Sequence, residues 1–309
     1  MINRTHLPKL LTELTPTELL IMCYDVAELH PFYRRLTRHS DPARLRVWLT
    51  ESPAAHKPLL AWLRQNQPRL YGRYASKRPE NPFHIGRGYL HQPEQFFGRE
   101  RLLRELRGLL SDWMNVALRG EAQWGRSSVL YHLYATRRDW LSETVKIAYV
   151  DLQGVWDTRD FFYEVVKKLG GSGNSLLDFK QMIEGQQVLL LFDEVEQLAD
   201  ADFNPKLQGL LRKCAQEEQF AMCLACQQPL EHSFPKQGPT SPFHNIFTNR
   251  ELTPFLPAEV REFVQSRLQP SGLTFTDTEL DELIQHSHGI PATMQRLARR
   301  LFEKKYRRG

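Results

Sequence analysis

The chain has 309 residues, 41% of them hydrophobic and 25% charged, with a formal net charge of +5. Those proportions fit a globular protein with room for roughly two or three compact units and exclude a disordered chain. No run of ~18 apolar residues could span a bilayer, the N-terminus opens on an amphipathic segment rather than a signal-peptide apolar region, and four cysteines make no disulfide framework, so a cytoplasmic protein without a membrane partner is expected.

Residues 1–75 read as an all-helical bundle of four or five short helices. Leu7 to Leu14 is apolar at helical spacing. Thr15-Pro16-Thr17-Glu18 then supplies an N-cap, a proline at the first helical position and a capping-box glutamate. Further starts follow at Asp41-Pro42 and at Pro53, the latter carrying Leu59, Leu60, Trp62 and Leu63 on one side. No cluster of His, Cys or carboxylates suggests chemistry here, and such a bundle is expected to dock rather than catalyse. Periodicity fails at Tyr71, and residues 76–93 read as a linker rich in proline, glycine and basic side chains.

From residue 94 strands and helices alternate, which predicts a parallel sheet between helices over 94–255. Expected strands are Trp113–Leu118, Val145–Leu152, Val188–Phe192, the cysteine-bearing Phe220–Cys226 and Arg250–Phe255. Expected helices include Ser128–Leu141, Asp160–Leu169, Ser175–Ile183 and Asn204–Glu218. The run Val188–Phe192 is continuously apolar, as a strand buried on both faces must be. Cys223 and Cys226 form a C-x-x-C, yet on a strand their side chains point to opposite faces, which favours two buried small hydrophobes over a metal or redox pair. Residues 256–309 turn purely helical again, with a second capping box at Thr276 and Glu279.

The stretch Gly120-Glu121-Ala122-Gln123-Trp124-Gly125-Arg126-Ser127-Ser128 has the spacing of a phosphate-cradling loop, G-x-x-x-x-G-K-[ST], with Arg126 in the lysine position. Such loops turn backbone N–H groups onto phosphate oxygens at a positive helix N-terminus. A later apolar strand ends in Phe192-Asp193-Glu194. An acidic residue placed there supports Mg²⁺, which Ser127 would touch from the other side, and the adjacent Glu194 can orient or activate attacking water. Arginine keeps the lysine's charge but is longer and planar, so binding is expected to survive better than turnover. Trp124 adds bulk over the loop where a small residue is usual.

These motifs, together with the Phe97-Gly98-Arg99-Glu100 opening and the Gly289-Ile290-Pro291 turn, resemble the signal-transduction ATPases called STAND proteins, within the AAA+ class, over about residues 94–309. The resemblance implies an α/β P-loop NTPase with a parallel sheet of order 5-1-4-3-2 and a C-terminal helical lid. It implies ATP or ADP with Mg²⁺, phosphates held by Gly120, Trp124, Gly125, Arg126, Ser127 and Ser128, and adenine held between Gly98-Arg99 and the lid, with Pro291 against the base. Gln227, after the fourth strand, stands where relatives place a γ-phosphate sensor and brings no charge. No arginine finger is evident: Ser241-Pro242-Phe243 occupies its usual region, leaving Arg250 as a doubtful candidate. The bundle, with Glu18-Leu19-Leu20 and Cys23-Tyr24-Asp25, looks like an effector-associated, death-like domain. That implies docking to an effector protein carrying a similar bundle and a nucleotide-dependent homo-oligomer, in bacterial defence or stress signalling. The chain ends after the lid without the winged-helix and repeat-sensor units usual in that family, so a trigger sensed elsewhere or by the bundle is implied. Nucleic-acid contact has only the basic tail, Lys304-Lys305-Tyr306-Arg307-Arg308, in its favour.

Overall fold

The computed structural model describes residues 7–34, 42–75, 81–83, 88–204, 206–217, 220–235 and 242–308. Asp41, residues 76–80 and 84–87 of the expected linker, Glu218 and Ser241 lie outside them. Two compact units divide the chain: Met1–Phe83 with Val264–Glu279 and Arg299–Gly309, and His84–Phe263 with Leu280–Ala298.

The N-terminal part of the first unit holds six helices among the described residues: α1 (Leu7–Thr12), α2 (Pro16–Asp25), α3 (His30–Arg34), α4 (Pro42–Glu51), α5 (Pro53–Asn66) and α6 (Pro68–Ala75). Helix α2 starts where its capping box places it: Glu18 donates its N–H to Thr15 Oγ1 at 3.3 Å, and the Glu18 carboxylate accepts the Thr15 N–H at 2.7 Å. Leu10, Leu11, Leu19, Met22, Leu49, Leu59 and Leu63 are fully buried in one core, each stabilising the bundle by about 1.5–3 kcal/mol before entropy is charged. Arg46 ties α4 to the end of α1 by donating to the Leu11 and Leu14 carbonyls, both at 2.9 Å. Helical structure continues past Tyr71, where the apolar period fails. A separate helix, α6, carries the bundle to Ala75 because Leu70 and Tyr74, one helical turn apart, both enter the core.

The expected linker also contains an anchor. Phe83 is completely buried, stacked on Phe275 at 6.1 Å and edge-on to Phe302 at 6.4 Å. Asn81 donates to the Arg299 carbonyl and Arg299 donates to the Phe83 carbonyl, fixing the segment at both ends. Nearby, the Thr276–Glu279 capping box forms as predicted.

The second unit is built on five strands, β1 (Val116–Arg119), β2 (Lys146–Asp151), β3 (Val188–Asp193), β4 (Phe220–Cys226) and β5 (Thr248–Glu251), all parallel. Their order is β2-β3-β4-β1-β5, which read from the other edge is 5-1-4-3-2. Every residue of β3 and β4 is buried, and successive side chains feed opposite layers. Leu190, Phe192, Met222, Leu224 and Cys226 join one core with α9 (Thr158–Lys168), α10 (Leu176–Ile183) and α11 (Lys206–Gln216). Leu189, Leu191, Ala221, Cys223 and Ala225 join the other with α7 (Glu100–Ser111) and α8 (Arg126–Ala135). Cys223 and Cys226 therefore do face opposite ways, and all four cysteines are buried and free.

Strand β5 lies two residues earlier than its expected Arg250 start and stops at Glu251. Its partner β1 leaves the sheet at Gly120 to form the phosphate-type loop, so no strand remains for residues after Leu252 to pair with. A short α12 (Leu230–Ser233) follows β4, and α13 (Pro257–Leu268), α14 (Asp277–Ser287) and α15 (Pro291–Arg308) complete the chain. Among the described residues no helix is long and apolar enough to cross a membrane.

Candidate functional site

Residues 120–125 carry the chain from β1 to the first turn of α8. Gly120 is pinned by donating to the Cys226 carbonyl at 3.2 Å, and a β-carbon on it would stand 3.0 Å from Leu252 Cβ and 3.4 Å from Arg126 Cγ. Gln123 and Gly125 both adopt left-handed backbone conformations, φ 69° and 97°, which bend the loop so that α8 begins at Arg126. Trp124 packs half-buried against the core beneath. The first turn of a helix has backbone donors without intrahelical partners and the positive end of its dipole. The loop thus delivers donors where an anion would sit.

Arg126 is only 7% exposed. Its Nη2 lies 3.5 Å from Glu194 Oε1, while its Nη1 is buried with no hydrogen-bond partner. A desolvated donor left unmade costs on the order of 1–3 kcal/mol. The Ser127 hydroxyl is turned toward Asp193 and helps hold that carboxyl down. Ser128 turns instead to the segment ahead of the opening, its Oγ accepting the Leu90 N–H at 3.2 Å.

Asp193 ends β3 and is 2% exposed. Burial pushes its carboxyl up from the ordinary range, and the facing Asp151 adds to that; bonds from the hydroxyls of Ser127 and Tyr149 and from the Glu194 N–H work the other way. Tyr149 donates to Oδ2 at 2.9 Å and the Glu194 N–H to Oδ1 at 3.1 Å. Glu194 itself is left-handed, φ 52° and ψ 48°, a strained setting for a residue with a β-carbon. Its carboxyl is also raised, first by burial, against the lowering pull of Arg126. A raised carboxyl stabilises the folded chain fully only below its ordinary value and loses that contribution as pH rises through the raised one. Without nucleotide, Asp193→Asn should therefore melt above wild type by a gap that widens as pH rises from the ordinary carboxylate range and then stays constant, about 2–4 °C for each kcal/mol. Scanning fluorimetry from pH 4 to 8 reads it, and a gap that narrows with rising pH would contradict the assignment.

Gln227 is exposed just past β4. Its N–H and that of Gln228 both donate to the Glu196 carboxylate, so a glutamate three residues past Asp193 shapes the turn that presents Gln227. Arg250 is committed elsewhere, its Nε 3.4 Å from the Glu105 carboxylate.

At the opening, Gly98 and Arg99 are consecutive left-handed residues, φ 66° and 69°. The Arg99 guanidinium lies 4.3 Å over the Phe255 ring, a cation–π contact, and its Nη2 is buried without a partner. Burial pulls its pKa down, opposed by Glu259. Phe255 in turn donates its N–H to the Gly289 carbonyl at 2.8 Å. The opening and the Gly289 turn thus meet on Phe255, with Pro291 half-buried at the start of α15. Phe255 and Glu196 escape sequence reasoning because neither falls inside a motif; both show themselves only through partners distant in the chain. A cavity of about 490 Å³ opens beside Gly98, between Phe96, Glu100, Arg104, Arg107 and His132, but none of the phosphate-loop residues lines it.

The chain superposes on the Walker-type ATPase of Pyrococcus abyssi with a TM-score of 0.56 at 18% identity, covering 69% of each chain. It superposes on the ORC1 protein of Aeropyrum pernix, solved in complex with DNA, with a TM-score of 0.52 at 16% identity over 69% of this chain and 62% of that one. For Drosophila ORC bound to DNA the TM-score is 0.53 at 16% identity, over 68% and 62%. The fold is that of the P-loop ATPases. This chain spans less than two thirds of the length of either ORC chain. In sequence it matches no protein-family model and no curated protein. The start of α8 and the end of β3 meet at the Arg126–Glu194 pair. A buried guanidinium donor without a partner, Arg126 Nη1, beside the Gly120 cradle is a donor set that fits phosphate; a hydroxyl beside a buried carboxylate fits a divalent cation carried on it. Among the described residues no three His, Cys, Asp or Glu side chains converge into a free-standing metal site.

Proposed function

We propose that the protein is a nucleotide-binding switch of the STAND kind, taking ATP or ADP with Mg²⁺. The observation that carries this reading is the Arg126 guanidinium: buried, half-paired, and held where a phosphate-loop lysine would stand. Gly120, Trp124, Gly125, Arg126, Ser127 and Ser128 would hold the phosphates, and Ser127 with Asp193 would hold the cation. Bound there, Mg²⁺ supplies charge neutralisation between the phosphates. Glu194 would orient water, Gln227 would hydrogen-bond the terminal phosphate or that water, and Gly98, Arg99 and Pro291 would take the base. The N-terminal bundle would recruit an effector carrying a similar death-like bundle, in a cytoplasmic defence or stress response, with self-association set by nucleotide state.

One contact supports a second reading. Arg126 is paired with the residue assigned to orient water, which suits a site that grips nucleotide and turns it over slowly, or a scaffold that no longer turns it over. Association with DNA, with which both ORC proteins were solved, has less behind it in this chain, resting on the basic tail sequence Lys304-Lys305-Tyr306-Arg307-Arg308.

The test is calorimetric titration of the whole chain with ATP and Mg²⁺, followed by sedimentation in ATP and in ADP. The switch requires binding in the micromolar range or tighter and a different sedimentation coefficient in the two nucleotides. Binding without that difference favours the scaffold, and no heat at high protein concentration sinks the nucleotide reading.

A further inference from the structure

The hydroxyl on Asp193 comes from a residue that the phosphate-loop pattern does not include. Tyr149 stands on β2 opposite Leu191 of β3, and its side chain reaches along the sheet to Asp193 Oδ2. Its ring is fenced from three directions. Tyr89, in the segment ahead of the opening, meets it edge-on at 5.3 Å; Tyr131 of α8 meets it at 5.5 Å and 87°; Tyr134 lies at 6.2 Å. That segment is itself fastened to α8 by the Leu90 N–H on Ser128. The ring packed on these faces points the phenol at Asp193, with the Tyr89 hydroxyl also beside it. Asp193 is then bonded at both oxygens, Oδ1 by the Glu194 N–H and Oδ2 by Tyr149, so the carboxylate cannot rotate away from Ser127.

We propose that Tyr149 is a positioning residue for the divalent cation, holding Asp193 in the orientation from which it supports Mg²⁺ on a bound nucleotide. The proposal rests on the nucleotide-binding reading above. A donor behind a cation-supporting carboxylate typically governs 10–100-fold in metal affinity. Tyr149 would therefore set how strongly the chain prefers Mg²⁺-ATP to free ATP.

The experiment measures ATP affinity of the full chain with Mg²⁺ and with EDTA for wild type, Tyr149→Phe, Asp193→Asn and the double variant, each first shown to melt cooperatively. Tyr149→Phe, which keeps the ring and its packing, should weaken Mg²⁺-ATP about 10-fold and leave free ATP within about 2-fold. Adding it to Asp193→Asn should change nothing further, because the carboxylate through which it acts is already gone. An unchanged or stronger Mg²⁺ preference in Tyr149→Phe overturns the proposal, and so does an equal loss in the Asp193→Asn background, which would mark a packing effect. Wild type that binds ATP in neither condition overturns the nucleotide reading together with the proposal. Wild type whose Mg²⁺ preference survives Tyr149→Phe overturns the proposal alone.

Discussion

Gly289→Ala is expected to lose more than about 4 kcal/mol of stability, among the largest effects a single methyl can have. Gly289 has φ +69°, which costs an L-residue about 1–2 kcal/mol by itself. A β-carbon there would also overlap the Phe255 carbonyl oxygen and stand 3.0 Å from that residue's N and C. These are backbone atoms, and they cannot swing aside as a side chain does. Phe255 is held by its own bond to the Gly289 carbonyl, while Gly289 donates to Ser287 Oγ and Ile290 donates to the Ser287 carbonyl. Relief therefore requires opening the whole turn and releasing the Arg99–Phe255 contact with it. Thermal melting should fall by on the order of 10 °C. Gly272→Ala is the matched control: the same left-handed φ, +70°, with nothing within 4 Å of the added carbon, so only the torsional part should be lost. Equal melting shifts for the two variants would show that the turn yields easily.

The second large effect is on binding. Arg126→Ala should weaken ATP about 100-fold, or about 2.7 kcal/mol, since it removes the one buried cation of the loop and the bonds it makes to charged oxygens. The empty protein should lose little, because the Glu194 carboxylate left behind is 37% exposed and water can solvate it. Arg126→Lys separates grip from turnover. Lysine keeps the charge but is shorter and cannot fork, so the 3.5 Å pair with Glu194 should open and free that carboxylate for water. Phosphate release should then rise above wild type. Affinity of Arg126→Ala within about 3-fold of wild type would remove Arg126 from the site.

Much of the sheet domain was legible because its signals are local. The spacing from Gly120 to Ser127, which marks a strand-to-helix turn, the unbroken apolar runs of β3 and β4 and the two capping boxes each lie within a few residues. Four features were not legible. Strand β5 shifted because its limits are set by where β1 departs, not by its own composition. Phe83 is a lone aromatic among prolines, with no period to announce it. The Tyr149–Asp193 bond spans 44 positions, and the Glu196 bond to Gln227 spans 31. Sequence periodicity reports which face a residue uses, whereas these contacts depend on which strands become neighbours. The bundle's helices were readable for the same local reason, but their number was not, since α6 is held by packing that extends past the visible pattern.

Phe83 also bears on how the chain is made. Its anchoring partner Arg299 lies 216 positions downstream. At a synthesis rate of about 5–20 residues per second, some 10–40 seconds pass between their emergence from a ribosome. Through that interval the bundle's helices can close on their own neighbours, while the ring that follows them lacks its contacts with Phe275 and Phe302. Its docking on Phe275 and Phe302 is a late, long-range closure, one of the last contacts the first unit can make as the chain emerges.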